Sequence, residues 1–158
     1  MEIHTRRFGA ITVADDDHLA VPEGIPGFRA MRRVVLMGAG AVPTEDDIPT
    51  DHTMFWMQDL DNGDLAFLCI VPWGPFPGYD LEIDADELGI ADEADVRVLN
   101  LVTVQRGEGA AHLTANLRAP LVVDVRRRVL HQVILADSRW AVNAPFAQTP
   151  TPTPTKVR

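Results

Sequence analysis

The chain has 158 residues, a net charge of −9 and a hydrophobic content of 46%, values that fit one folded domain and exclude global disorder. It contains no apolar run near the roughly 20 residues that a transmembrane helix needs and no N-terminal segment typical of a signal peptide, so we expect a cytoplasmic protein without a membrane partner. Cys69 is the only cysteine, which excludes an intrachain disulfide and a cysteine-rich metal site.

Alternating apolar residues, a pattern typical of strands, recur along most of the chain. They predict strands at residues 3–8, 11–13, 18–21, 31–37, 54–60, 65–71, 96–104, 112–117, 121–125 and 129–135, with a short extended stretch at 79–83. Residues 84–89 predict a single helical turn, because Asp84 can cap its start and Gly89 can end it. The sequence therefore predicts an all-β, single-domain, barrel-like fold with at most one or two short helical turns, although periodicity alone leaves barrel and sandwich both open.

The connecting segments contain characteristic turn residues. Asn62-Gly63 predicts a tight hairpin, because these two residues tolerate the positive φ that such turns require. Residues 38–51 and 107–109 are predicted to be a loop and a turn. We assign residues 1–145 to the β domain, and residues 146–158 to a Thr/Pro tail that we expect to be disordered, since its Thr-Pro repeat has no apolar side chain to bury.

The acidic residues are concentrated in the middle of the chain. Residues 34–96 contain fifteen acids and no lysine or arginine. Such a stretch should project a negative potential that repels nucleic acid and attracts basic partners, unless arginines from other segments cover it. Two interpretations remain open from charge alone: the acids keep the domain soluble, or they form a binding face.

No arrangement typical of an enzyme is present. The sequence lacks a nucleophile elbow, a phosphate-binding loop and a dinucleotide-binding glycine motif, and Ser138 is its only serine. The one metal set that strand positions could assemble is His112 and His131, placed on neighbouring strands, together with Asp124. We therefore expect neither catalysis nor a cofactor, and keep a small metal-dependent hydrolase only as an alternative.

Aromatic side chains cluster in the same stretch that lacks bases. Some of them must be core residues by alternation, but Trp73 and Phe76 lie in a Pro/Gly loop, where rigid aromatics often anchor interfaces. We predict an apolar protein-binding groove formed by Phe55, Trp56, Trp73 and Phe76.

A series of motifs along the chain resembles the FliW family of flagellar assembly factors. In order, the motifs are Phe8-Gly9, Glu23-Gly24-Ile25-Pro26-Gly27-Phe28, Phe55-Trp56-Met57-Gln58-Asp59-Leu60, Leu65-Ala66-Phe67, Tyr79, the segment from Thr114 through Asn116 and Pro120 to Val123, and Gln132-Val133-Ile134-Leu135. The resemblance extends from the N-terminus to about Trp140. Asp59, Asp124 and Arg118 depart from the residues expected at their positions, and we expect the two aspartates to make the surface more acidic.

The resemblance implies a β-barrel-like regulator that binds proteins, with no catalytic residue and no cofactor. Family members bind flagellin and the RNA-binding translational repressor CsrA, and free flagellin displaces the repressor, so that flagellin controls its own translation. We expect the same partners here, no direct contact with nucleic acid, and a monomer when the protein is free. The alternative is an acidic β-barrel adaptor for another basic protein.

Three sets of residues follow as predictions. Eight acids in sixteen residues are assigned to the CsrA-binding face: Asp80, Glu82, Asp84, Asp86, Glu87, Asp92, Glu93 and Asp95. The four aromatics named above are assigned to flagellin. Turn-forming residues are assigned to structure, with Gly24 and Gly27 taking backbone angles that other residues avoid and Asn116 bonding backbone in the turn before Pro120; the full structural set is Gly24, Pro26, Gly27, Phe28, Asn116 and Pro120.

Overall fold

A computed structural model describes residues 1–39, 53–106, 111–137 and 139–146. The predicted loop at 38–51 lies outside the described residues except at its first two positions, and the predicted turn at 107–109 lies outside them entirely. The predicted Thr/Pro tail, residues 146–158, lies outside them except at Phe146, which packs edge-on against Phe76 with ring centres 5.5 Å apart. No helix within the described ranges is long and apolar enough to cross a membrane.

Eleven strands and one short α-helix make up the regular structure of the described residues. The strands are β1 (Glu2–Thr5), β2 (Gly9–Thr12), β3 (His18–Ala20), β4 (Arg33–Gly38), β5 (Met54–Asp59), β6 (Ala66–Ile70), β7 (Val96–Arg106), β8 (Ala111–Ala115), β9 (Leu121–Asp124), β10 (Val129–Gln132) and β11 (Ala144–Pro145). The helix is α1 (Ala85–Leu88), followed by one 3-10 turn (Glu93–Asp95).

Seven of these strands close into a barrel, in the order β7-β6-β5-β4-β3-β10-β9, with β9 pairing back onto β7. Neighbours in the barrel are antiparallel except β3 and β10, which are parallel. Outside the ring, β8 and β11 extend the sheet, and β1 and β2 form a separate hairpin. The prediction of an all-β, barrel-like fold with very little helix is confirmed.

Strand β7 is the longest strand and organises the closure of the barrel. One of its edges pairs with β6 through residues 100–102. Its other edge pairs first with β9, through residues 96–99, and then with β8, through residues 102–106. Because β8 and β9 follow each other in the chain, the crossover segment (residues 116–120) lies where β7 changes partner along this edge.

Alternation along the strands separates two cores. One cluster takes at least one residue from each barrel strand and fills the interior, and includes Leu19, Val34, Met57, Cys69, Leu99, Leu121 and Leu130. A second cluster lies on the opposite face of β5 and β6, and includes Trp56, Leu68, Tyr79, Leu117 and Leu135. Burial on both faces explains why β5 reads as a nearly continuous apolar run.

The turn between β5 and β6 forms at the predicted place, but for a different reason. Gly63 does not have a positive φ. Instead, a Cβ atom at this position would lie 2.1 Å from the carbonyl oxygen of His4, so only glycine allows this close approach of two backbones. The buried Gln58 completes the turn by donating to the carbonyl groups of Leu65 at 3.1 Å and Asp59 at 2.9 Å.

The two aspartates that depart from the family pattern are buried, so the expectation that they increase surface acidity is wrong. Asp59 accepts the N–H groups of Asp61 and Asn62, at 2.8 and 3.2 Å. Asp124 accepts those of Arg126 and Arg127, at 3.1 and 3.2 Å, in the turn before β10. Each carboxylate satisfies backbone donors that the turn would otherwise leave unpaired.

The loop at residues 23–28 confirms the roles predicted for its glycines. Gly24 and Gly27 have φ values of 66° and 87°, in the left-handed region that favours glycine. Between them Ile25 is buried in the barrel interior, while Pro26 is exposed. Phe28 is partly exposed and packs edge-on against Phe67, with ring centres 4.8 Å apart.

A buried polar network holds the crossover segment. Asn100, fully buried on β7, donates to the carbonyl of Asn116 at 2.9 Å, and the Tyr79 hydroxyl donates to the carbonyl of Leu117 at 2.6 Å. The Asn116 side chain accepts the N–H of Ala119 at 3.1 Å, which confirms its predicted turn role before the buried Pro120. Burial raises the pKa of the Tyr79 hydroxyl, which therefore stays protonated and able to donate.

Candidate functional site

The acidic segment (residues 80–95) is built around α1. Asp84 caps the helix by accepting the N–H of Glu87 at 3.1 Å, and Gly89 ends it with a φ of 73°. Arg127 donates to the carbonyl of Gly89 at 2.9 Å, which ties this end of the helix to the turn before β10. The predicted helical turn is thus confirmed at both ends, and it holds a short, exposed element against the barrel.

An open cleft of about 760 Å³ separates this element from the chain that follows β10. The acidic segment lines one side through Asp80, Leu81, Glu82, Asp84, Glu87 and Leu88, and residues 131–137, 139 and 140 line the other. The cleft carries apolar surface as well as charge, contributed by Leu81, Leu88, Val133, Ile134 and Trp140. Ile134 is 68% exposed, which is unusual for a large aliphatic side chain and leaves apolar surface available for contact.

The second side of the cleft begins at the end of β10 and continues as irregular chain over residues 133–137, which the crossover segment anchors. The N–H groups of Val133 and Leu135 donate to the carbonyl groups of Pro120 and Arg118, at 3.0 and 2.8 Å. Further along, Trp140 packs edge-on against Tyr79, with ring centres 4.9 Å apart. The cleft therefore rests on the crossover segment and on Tyr79, which gives it a defined shape.

Carboxylates outnumber cations in the cleft by six to one. The acids are Glu23, Asp80, Glu82, Asp84, Glu87 and Asp137; among the described lining residues Arg139 is the only arginine or lysine, and His131 also lines the cleft. Arg139 pairs with Asp137 at 2.7 Å and lies over the ring of Trp140, so its charge is partly compensated within the wall. The charge and the exposed apolar side chains of the cleft are complementary to a positively charged ligand with some apolar surface.

Two arginines beside the acidic segment bind backbone carbonyl groups. Arg97 donates to the carbonyl groups of Ala94 and Val96, and Arg127 donates to that of Gly89. Elsewhere, Arg33 pairs with Asp61 at 2.6 Å, and this hydrogen bond lowers the pKa of the Asp61 carboxyl. Among the residues that the structure describes, the acids at positions 80–95 form no ion pair with an arginine or lysine.

The structure divides the eight predicted acids into two groups. Four of them line the cleft: Asp80, Glu82, Asp84 and Glu87. Asp86 is exposed on α1 without lining it, and the last three, Asp92, Glu93 and Asp95, lie at the 3-10 turn that leads into β7. Asp92 caps that turn by accepting the N–H of Ala94 at 2.9 Å, so its position already has a structural explanation.

The four predicted apolar residues are not brought together into one groove. Phe55 and Trp56 are neighbours on β5 and therefore point to opposite faces, Phe55 towards the barrel interior and Trp56 into the second core. Phe76 is half-buried against Phe146. Only Trp73 is exposed, at 44%, and its indole N–H donates to the carbonyl of Tyr79 at 3.0 Å.

The proposed metal set is not assembled, and its geometric premise is wrong. His112 lies on β8 and His131 on β10, and these strands are separated by β7 and β9 rather than being neighbours. The Asp124 carboxylate is occupied by backbone N–H groups. Across the residues that the structure describes, no group of three or more His, Cys, Asp or Glu side chains could hold a metal ion.

Sequence reasoning missed part of the cleft. Glu23 was assigned only to a structural loop, and Asp137 and Trp140 were assigned no role, because they lie far along the chain from the acidic segment. The side of the cleft after β10 could have been suspected from Ile134, an apolar residue at the end of a stretch predicted as a strand. The strand ends at Gln132, so the side chains that follow are free to line a cleft.

The closed seven-stranded barrel and its acidic cleft define a small β-barrel protein with a charged surface groove. The family model described as FliW protein matches residues 2–146. The chain therefore belongs to the FliW family.

Relatives and a solved structure agree with this family. The chain is 32% identical over 149 residues to the flagellar assembly factor FliW of Caldanaerobacter subterraneus subsp. tengcongensis, with 94% of each chain covered. It is 33% identical over 144 residues to that of Treponema denticola, with 89% of each covered. The crystal structure of a flagellar assembly factor FliW matches with a TM-score of 0.78 at 27% identity, covering 94% of this chain and 99% of the other.

Proposed function

We propose that this protein is a cytoplasmic, non-enzymatic regulator of flagellar assembly that binds flagellin and, alternatively, the RNA-binding repressor CsrA. Bound to the repressor, it relieves the repression of flagellin translation, and free flagellin reverses this by taking the protein away. The observation that carries the proposal is the exposed acidic rim of the cleft in a chain of the FliW family.

The charge of the cleft supports a repressor as one partner. A protein that binds RNA needs basic surface to neutralise phosphates. The acids that line the cleft can contact such a surface, and where they bind beside it they repel RNA. A partner that is apolar as well as basic also gains from Ile134 and Leu81, which supply contact area within the ring of charge.

The test of this surface is a triple charge reversal, Asp80→Lys, Glu82→Lys and Glu87→Lys. Asp84 is left unchanged because it caps α1. We expect the affinity for CsrA to fall by about tenfold or more at low salt, since three attractive contacts become repulsive, and the salt dependence of binding to flatten. Isothermal titration calorimetry at two ionic strengths measures both.

The matched control is Asp15→Lys, Asp16→Lys and Asp17→Lys, which makes the same change in net charge at exposed acids that do not line the cleft. Equal loss of affinity in both variants would show that only net charge matters, and would overturn the assignment of the cleft. An unchanged affinity in the cleft variant would do the same.

The regulatory step is tested separately in a reconstituted translation reaction that contains a flagellin messenger and CsrA. Addition of the protein should restore flagellin synthesis, and addition of purified flagellin should then suppress it again. If the protein binds neither flagellin nor CsrA in a pull-down, the partner-switching function is wrong, and the acidic adaptor for another basic protein takes its place.

A further inference from the structure

We propose that the turn at residues 25–28 forms a second protein-binding surface, and that its partner is an apolar protein segment flanked by carboxylates. Phe28 supplies the apolar contact of this surface, and Arg29 and Arg32 supply its positive charge. The surface differs from the acidic cleft in its residues and in the sign of its charge, so it fits a partner of the opposite kind.

The backbone of this turn is preformed. Pro26 fixes φ at the first central position, and Gly27 takes a φ of 87° at the second, a combination that type II turns favour. Ile25 and Phe28 exchange both of their backbone hydrogen bonds, at 3.3 and 2.8 Å. The side chains of Ile25 and Met31, on either side of the turn, are buried in the barrel interior. A partner therefore binds a rigid surface and loses little entropy in ordering it.

Phe28 remains exposed on this rigid turn. The residue is 40% exposed, although the edge of its ring packs against Phe67, with ring centres 4.8 Å apart. Phe67 is itself only partly buried where it packs on the interior cluster, so apolar surface continues from one ring to the other. Aromatic side chains held in one position with a solvent-facing surface are typical anchors of protein interfaces.

The two arginines beside Phe28 have no carboxylate partner. Among the described residues, the guanidinium of Arg29 forms no hydrogen bond or ion pair, and Arg32 donates only through Nη1, to the carbonyl groups of Arg29 and Met31. These bonds hold the exposed Arg32 side chain next to the turn. Its Nε and Nη2 donors remain available to a carboxylate, which a guanidinium can bind with two parallel hydrogen bonds.

The charge around the turn favours a protein partner over a nucleic acid. Both would bring negative charge to the arginines, but the chain has a net charge of −9, and Glu23 of the same loop lines the acidic cleft. This negative field repels a polyanion with a charge on every phosphate. A segment with a few carboxylates next to apolar side chains avoids most of this repulsion and also covers Phe28.

Two matched peptides test the surface without knowledge of the natural partner. Each peptide forms a helix with a leucine face, which is flanked by glutamates in one peptide and by lysines in the other. In an NMR titration of the full chain, we expect the glutamate peptide to cause saturable shift changes at the backbone amides of Phe28, Arg29 and Phe67. The amides of Leu81 and Ile134 in the acidic cleft should not respond to it, and the lysine peptide should leave the first three amides unchanged.

Two substitutions assign the binding to the named side chains. Phe28→Ala should weaken binding of the glutamate peptide by about tenfold, the loss expected for an interface anchor. Arg29→Glu should weaken it by about two- to fivefold, because an exposed ion pair becomes a repulsion. Arg29→Glu removes no contact made by the Arg29 side chain within the described residues, so it tests the surface without endangering the fold.

Arg126→Glu is the matched control. It makes the same charge change at an exposed arginine in the turn before β10. Since β3 and β10 are parallel, that turn lies at the opposite end of the barrel from the loop that follows β3. We expect this variant to bind the glutamate peptide nearly as tightly as the unaltered protein. Equal losses in Arg29→Glu and Arg126→Glu would mean that only net charge matters, and would overturn the proposal.

Other results would also overturn it. Without saturable shift changes at Phe28 there is no such surface, and equal changes with both peptides would mean apolar contact without selection of charge. The same changes on addition of polyuridine RNA would mean that any polyanion binds there. Changes at Phe28 that depend on protein concentration in the absence of peptide would identify a second copy of this chain as the occupant.

The last experiment uses flagellin and CsrA as probes and rests on the proposed function. The basic CsrA matches the acidic cleft, which leaves flagellin for the Phe28 surface. Phe28→Ala should therefore weaken flagellin binding by about tenfold and leave the binding of CsrA alone unchanged. If the unaltered protein binds neither probe, the proposed function is wrong, and the peptide titration still decides about the surface. If it binds flagellin and Phe28→Ala binds equally well, flagellin does not use this surface.

Discussion

Individual residues of this chain show how one residue type serves different physical purposes. Gly24 and Gly27 are needed for their positive φ, whereas Gly63 is needed because another segment of backbone passes close by. Asp59 and Asp124 look like surface charges in the sequence, but both are buried and bind backbone N–H groups. Residue identity predicted the positive φ of Gly24 and Gly27 and a turn at Gly63, whereas the cause of the Gly63 turn and the buried role of the two aspartates are shown only by the structure.

Gly63→Ala tests the reason given for the β5–β6 turn. The added methyl group would meet the carbonyl oxygen of His4, which is backbone and cannot rotate away, so we expect a loss of about 1–3 kcal/mol in the free energy of unfolding. Gly78→Ala is the control, because a Cβ atom there has nothing within 4 Å. Urea unfolding measures the stability of both variants, and equal stabilities would contradict the close-approach explanation.

Among the secondary-structure elements, α1 combines a structural role with a role in the cleft. Its four residues are too few to be stable alone, so its caps and its attachment through Arg127 maintain it. Asp84 has both roles, because one of its carboxylate oxygens caps the helix and the residue also lines the cleft.

Two substitutions separate these roles of Asp84. Asp84→Asn keeps a good N-cap and removes the charge, whereas Asp84→Ala removes both. We expect Asp84→Ala to increase amide exchange at Glu87, consistent with a cap worth about 0.5–2 kcal/mol, and Asp84→Asn to leave that exchange nearly unchanged. Hydrogen exchange followed by NMR measures the exchange rate of the Glu87 amide. Similar rates in the two variants would mean that the cap is unimportant.

For the whole molecule, the position of the crossover segment and the shape of the cleft depend on connected hydrogen bonds. Tyr79 and Asn100 fix the crossover segment, and that segment in turn holds residues 133–135 in the cleft wall. A change in this buried polar network should therefore affect the surface groove.

Tyr79→Phe tests this coupling. The aromatic ring remains to pack on Trp140, but the carbonyl of Leu117 loses its buried donor, which costs about 1–3 kcal/mol of unfolding free energy. We expect chemical-shift changes at Val133 and Leu135 in addition to the lower stability. Trp73→Phe is a control that removes a hydrogen bond from a partly exposed ring; shift changes of the same extent in the control would argue against coupling through the crossover.

The fold was largely predictable from the sequence, whereas the cleft was only partly so. Alternating or continuous apolar residues located ten of the strands, because one or both faces of most of them are buried. Strand β11 was missed, since the two residues Ala144 and Pro145 are too short for a pattern. The acids at 80–87 were predicted from their density. Glu23 and Ile134 were not, because their approach to these acids depends on the crossover segment, a long-range feature that local periodicity does not contain.

The two successive partners of β7 also restrict how related sequences can differ in length. Deleting one residue within Val96–Arg106 would shift the pairing of one half of the strand against the other, and would turn its buried side chains to the opposite face. Insertions between β4 and β5 face no such restriction from the barrel ladders described here. In an alignment of relatives, we therefore expect gaps to be absent from β7 and to accumulate in the connections, which makes this strand the natural anchor for aligning distant members.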